Sequence, residues 1–181
     1  MPKLTHDHIS GVDRRSEDVL LHGPRPQMLE TRRLFVDSRT ATKPSPDQPF
    51  QFSIRLNDEV SRGRYKNVTE VSLKAASIPK VDGEDFVILD IEQLKDSNID
   101  SSLPYLNDGF SVCYFDNSSL PPGAVKVIDK TFTQKAIFSP PKTLDRFDVT
   151  IRKYDGSIVS PNETANSNNV SFLFDVTMLT Q

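Results

Sequence analysis

Few side-chain types run acid–base, nucleophilic or metal chemistry, and this chain keeps them apart. All three histidines, His6, His8 and His22, lie near the N-terminus, and no imidazole occurs from residue 31 onward. Neither a Ser-His-Asp nor a Cys-His relay can therefore be assembled in that larger part. An iron or zinc centre of the cupin kind needs imidazoles on barrel strands and is excluded for the same reason. His6 and His8 stand two residues apart, a spacing that can grip a metal on an extended segment, but no third ligand accompanies them. The single cysteine, Cys113, permits no intrachain disulfide and falls within an alternating run, where a buried thiol is the simpler reading than a nucleophile. With only 7 glycines, the chain shows no Gly-rich turn entering a helix of the kind that cradles phosphate.

The carboxylates are more numerous. Asp82, Glu84 and Asp85 surround Gly83 and carry the right oxygens for calcium, but a solvated acidic turn is the better reading. A paired-carboxylate glycosidase fits by residue type, but there is no tryptophan to stack on a sugar ring. Arg14-Arg15 and Arg62-Gly63-Arg64 are short basic groups in a chain of net charge −3, which reads as surface charge and not as a nucleic-acid footprint. Phe50 and Phe52 alternate with Arg55 on the other face, so core packing explains the aromatics better than base stacking. These observations point away from an enzyme and imply no cofactor and no specific nucleic-acid partner.

The elements that position these residues are strands. In residues 140–156, Phe147, Val149 and Ile151 alternate with Asp148, Thr150 and Arg152, a period of two that gives one apolar and one wet face. Pro140 and Pro141 should stop whatever precedes them, and Asp155-Gly156 marks a turn. Near the C-terminus Val170, Phe172, Phe174, Val176 and Met178 point one way, with Ser171, Asp175 and Thr177 opposite. Further strands are expected at 34–37, 50–56, 71–79, 109–115, 124–128 and 131–138, the last two separate or joined through Asp129-Lys130. Val71, Leu73 and Ala75 should face inward, and residues 86–91, apolar on both faces, should form a central strand. Residues 157–169 read as a long polar loop. No stretch longer than two turns shows helical spacing. Faces of this kind bury only in pairs, so the expectation is all-β: an eight-stranded jelly-roll β-sandwich over residues 32–181.

Residues 1–31 read differently, as an extended N-terminal arm with scattered apolar residues and Gly23-Pro24-Arg25-Pro26. Its apolar Val19, Leu20 and Leu21, with Met28, are the candidate partner-contact residues. The first 20 residues carry charges without an apolar core, so no secretory leader is expected, and no run approaches the ~20 apolar residues that span a bilayer. The Asn-x-Ser/Thr sequons at Asn67, Asn117, Asn162 and Asn169 then read as chance matches.

Several pieces in order resemble minor capsid proteins of large icosahedral nucleocytoplasmic double-stranded DNA viruses, the group that includes the algal chloroviruses. They are Leu34-Phe35-Val36-Asp37-Ser38-Arg39, then Phe50-Gln51-Phe52, then Val71 to Pro79 ending in Ile78-Pro79. Leu144-Asp145-Arg146-Phe147-Asp148-Val149-Thr150-Ile151 follows, leading to Asp155-Gly156 and a closing Phe172-Leu173-Phe174. The likeness covers roughly residues 33–179. It departs after Pro79, where Val81-Asp82-Gly83-Glu84-Asp85 intervenes, and between Phe115 and Ser139, which lacks the Gly-Asn-Tyr pattern of many relatives. The resemblance implies a single jelly roll without catalysis, located in the virion. Its partners would be the major capsid protein, other minor capsid proteins and, in a homo-oligomer, further copies of itself. A pentameric vertex (penton) protein is the close variant of this expectation. A carbohydrate-binding β-sandwich module is the alternative from another class.

Overall fold

The computed structural model describes residues 27–56, 65–95, 109–115, 125–127, 134–164 and 168–180. The described residues form nine strands in two antiparallel sheets. β1 (Met28–Asp37), β9 (Ser171–Thr180), β3 (Val68–Pro79), β6 (Val125–Val127) and β7 (Lys135–Lys142) make one sheet, with β6 and β7 both against β3. β2 (Gln51–Arg55), β8 (Arg146–Arg152), β4 (Phe86–Ile91) and β5 (Ser111–Tyr114) make the other, in that order.

The pairing is nested. β1 pairs with β9, β2 with β8, β3 with β6 and β7, and β4 with β5. Each strand thus meets its mirror image about the β4–β5 connection, as in one long hairpin folded over into two layers. β6 lies along Ser77–Pro79 and β7 along the other half of β3, so together they hold one strand's place.

Alternation builds the core between the layers. On β9, Phe172, Phe174, Val176 and Met178 are all buried. From β8 come Phe147, Val149 and Ile151, and from β4 come Val87, Leu89 and Ile91. Phe174 sits at the centre, edge-on to Phe147 of the opposite sheet at 5.4 Å, with Phe172 at 6.0 Å and Phe110 at 6.3 Å. Aromatic rings in such contact add to the apolar area that they remove from water. β4 is an interior strand, as its two apolar faces require: Ile88 is buried on the face away from the core cluster.

Three sequence expectations need correction. Ala75 does not face the core: the register of β3 against β9 shifts between Leu73 and Ala75, so Ala76 and Ile78 are the buried residues beyond it. A bulge adds one residue and thereby exchanges the two faces of the strand. Pro140 and Pro141 do not end their strand. Val68 pairs with Lys142 and Glu70 with Ile137, which leaves Phe138 to Pro141 bulged between rungs where no ladder N–H is required. Finally, β1 begins at Met28, well before Leu34, and runs ten rungs against β9. Glu30, Thr31, Arg32 and Arg33 break the apolar alternation there, and pairing with β9 overrides the weak local signal.

Residues 157–164 also carry more structure than a polar loop. Val159 is buried, Ser160 and Glu163 form a capping box around the 3-10 turn Pro161–Glu163, and Thr164 bridges to Val81.

Candidate functional site

Val19, Leu20 and Leu21, like His6, His8 and His22, lie outside the described residues. Met28 is the first residue of β1; it pairs with Thr180 and is 68% exposed. Cys113 is buried on β5, and burial pushes its thiol up to about 12. It stays protonated at neutral pH and is no nucleophile.

The outer face of the β2–β8–β4–β5 sheet carries the buried carboxylate of Asp90 and the part-buried one of Asp148. Asp90 is buried; its Oδ2 accepts from Arg152 Nε at 3.1 Å, while Lys95 Nζ lies 3.7 Å from Oδ1. Arg152 also donates to the Gly156 carbonyl at 3.2 Å, which ties the Asp155-Gly156 turn to the sheet. Beside it, Gln93 donates to Asp148 Oδ2 at 2.7 Å and accepts from the Asp148 N–H at 2.8 Å. Arg146 Nε is 2.9 Å from the same carboxylate. Burial raises the Asp148 pKa, but hydrogen bonds from Ser53 and Gln93 and the charge of Arg146 outweigh it and leave the carboxyl below its ordinary value. The two acids of this face are therefore committed to Arg152 and Lys95 on one side and to Gln93 and Arg146 on the other. Neither is placed as a proton donor to a glycosidic oxygen. An open groove of about 370 Å³ runs along Thr42, Gln51, Ser53, Asp148 and Thr150 of this face.

At one end of the sandwich the β3–β4 turn meets the turn after β8. Gly83 and Gly156 both have positive φ, 77° and 84°, which any residue with a Cβ resists. The Asp82 N–H donates to the Glu163 carbonyl at 3.0 Å, and Lys153 reaches Glu163 Oε1 at 2.8 Å. Burial raises the Glu84 pKa, and the charges of Asp155 and Glu163 add to that rise. Among the described residues, no three His, Cys, Asp or Glu side chains stand together as metal ligands. The acidic turn thus gathers negative charge around Lys153.

The outer face of the other sheet is arranged differently. Odd-numbered positions of β1 and β9 share it, in the rungs Leu29–Leu179, Thr31–Thr177, Arg33–Asp175 and Phe35–Leu173. Leu29, Phe35 and, on β7, Ile137 are each more than 60% exposed. Arg33 and Lys74 approach Asp175 at 3.7 and 3.6 Å, both beyond hydrogen-bond length, and Asp175 Oδ1 has no hydrogen-bond partner. Lys135 pairs with Glu70 at 2.9 Å. Arg33, Lys74 and Lys135 thus stand around Asp175 and Glu70 in the middle of the face, and the Arg33 side chain is 80% exposed. Sequence reasoning named none of these residues; Met28 belongs to the other parity of β1. The signal was present in Leu29 and Phe35, which share a parity, and in Leu173 and Leu179 on β9, but it became readable only once β1 was known to start at Met28.

No protein-family model matches the chain, and no curated protein matches it. Among solved structures, a chain of the crystal structure of Israel acute paralysis virus is similar at 12% identity, over 84% of this chain and 73% of that one, with a TM-score of 0.23. A superposition that loose adds nothing to the reading of the fold or the site.

Proposed function

We propose that this chain is a structural minor capsid protein of a large icosahedral double-stranded DNA virus, a single jelly roll that stabilises the shell through contacts with neighbouring proteins. The observation that carries the reading is the nested pairing of β1 with β9, β2 with β8, β3 with β6 and β7, and β4 with β5. Rolling one long hairpin into two layers produces that order, and viral capsid, lectin and cupin domains are its common users. The cupin option needs imidazoles that the body lacks. The order of sequence pieces from Leu34 to Phe174 favours the capsid option, as do the exposed apolar residues Leu29, Phe35 and Ile137 around unsaturated cations. The major capsid protein and other minor capsid proteins are the partners, and the virion is the location.

In this reading the residues before β1 form an arm that is ordered across a boundary between molecules and docks through Val19, Leu20 and Leu21; Met28, placed in the arm by the sequence, is instead the first residue of β1 and lies at its root. Limited proteolysis tests it: the arm should be cut in the purified protein and protected in assembled shells, and equal cleavage in both states would contradict the proposal. The penton variant differs in oligomeric state. A carbohydrate-binding module has one feature in its favour, the groove lined by Thr42, Lys43, Gln51, Ser53 and Asp148. Glycan-array binding lost on Asp148→Ala would favour the module over the capsid protein.

A further inference from the structure

We infer that the outer face of the β1–β9–β3–β7 sheet is a docking surface for the acidic end of a second copy of this chain, giving a head-to-tail contact. It rests on the contact-protein reading above and goes beyond it by naming the occupant.

Two observations on this face define what it lacks. Asp175 is shared by Arg33 and Lys74 at distances too long for hydrogen bonds, so both cations keep donors for an incoming carboxylate. Leu29, Phe35 and Ile137 flank them, exposed, so the occupant must bring apolar surface as well as negative charge.

The end of the sandwich around Gly83 and Gly156 offers both. Asp82, Glu84 and Asp155 gather there with one lysine, Lys153, among them. The same end carries exposed aromatic residues. Tyr154, 56% exposed, lies beside Asp155, and Tyr114, 62% exposed, packs at a tilt against Phe86 at the start of β4, 5.7 Å between ring centroids. Glu84, whose charged form is already disfavoured by burial and by Asp155 and Glu163, gains most from a cation brought by a neighbour. The self-pairing alternative, β1 against β1 about a two-fold axis, would crowd Arg32 and Arg33 of both copies together, which like-charge repulsion disfavours. Patches on the sheet face and on the end of the sandwich that meet in a single contact leave one of each unused on the pair. They generate a ring where the rotation closes and a filament where it does not.

Analytical ultracentrifugation of the full chain decides this, with circular dichroism to verify the fold of each variant. The wild type should associate, and weaken as salt rises, since screening shortens the reach of the charges. Arg33→Glu with Lys74→Glu should raise the concentration for half-association by roughly tenfold or more, and Asp82→Lys with Glu84→Lys should do the same. An equimolar mixture of the two variants should associate again, because each then supplies the patch that the other has lost. A wild type that stays monomeric, reversals without effect, or two weakened variants that fail to rescue each other would overturn the inference. Arm protection in assembled shells reads out separately, so a monomeric wild type with a protected arm would remove the self-contact and leave the capsid reading standing.

Discussion

The two outer faces of this sandwich share one core and have opposite habits. On the β2–β8–β4–β5 face, Asp90 is held by Arg152 and faced by Lys95, Asp148 is held by Gln93 and Arg146, and Ile88 is fully buried. On the β1–β9–β3–β7 face, Arg33 and Lys74 stand off from Asp175, and three large apolar side chains lie open to water. The first face holds each carboxylate by at least one direct hydrogen bond, although Asp90 Oδ1, like Asp175 Oδ1, has no hydrogen-bond partner. The second leaves its chemistry unfinished within the chain, and that is where a partner gains most.

The comparison can be broken or sharpened by substitution. The largest effect belongs to the core that both faces share. Phe174→Ala removes the ring that contacts Phe110, Phe147 and Phe172 and should cost about 3–5 kcal/mol, measured by denaturant unfolding. Next comes the hydrogen-bonded face. Arg152→Met leaves Asp90 buried with Lys95 at 3.7 Å and should cost about 2 kcal/mol, less than the usual about 3–5 kcal/mol for a broken buried pair because the Arg152 side chain is one-third exposed. A loss no greater than that of a surface substitution would erase the distinction between the faces.

The acidic end supplies a smaller test with a sign. Lys153 and the Ser160 N–H lower the Glu163 pKa, so its contribution is present above the ordinary value of 4.5 and is lost as pH falls through its folded value. Glu84 runs the other way. Its pKa is raised in the fold, so ionisation opposes folding and the cost appears as pH rises through the folded value. Glu84→Gln should therefore stabilise the protein at neutral pH and lose the advantage well below pH 4.5, while Glu163→Gln should destabilise it at neutral pH and converge on the wild type in acid. Thermal unfolding across pH checks both curves. The smallest effect is expected on the unfinished face, where Arg33→Ala should change the stability of the isolated chain by less than about 0.5 kcal/mol.

How much of this was legible beforehand differs from strand to strand. The all-β class and the buried set of β8 and β9 were readable because alternation there is uninterrupted from Phe147 to Ile151 and from Val170 to Met178. β3 was readable only as far as Leu73, since nothing local announces a bulge. The prolines of β7 misled for a related reason: a bulge removes the need for the N–H that proline lacks. The histidine-free body could be read directly, whereas the Asp90–Arg152 pair could not. Its partners lie 62 positions apart and meet only through the β4–β8 register, Ile88 opposite Arg152 and Asp90 opposite Thr150.

The most direct measurement is lysine footprinting by an amine-reactive label, comparing the purified chain with the chain in assembled virions. Lys74 and Lys135 should lose most of their reactivity on assembly, while Lys95, beside Asp90 on the opposite face, should keep its own. Equal protection of all three, or protection confined to Lys95, would contradict the account.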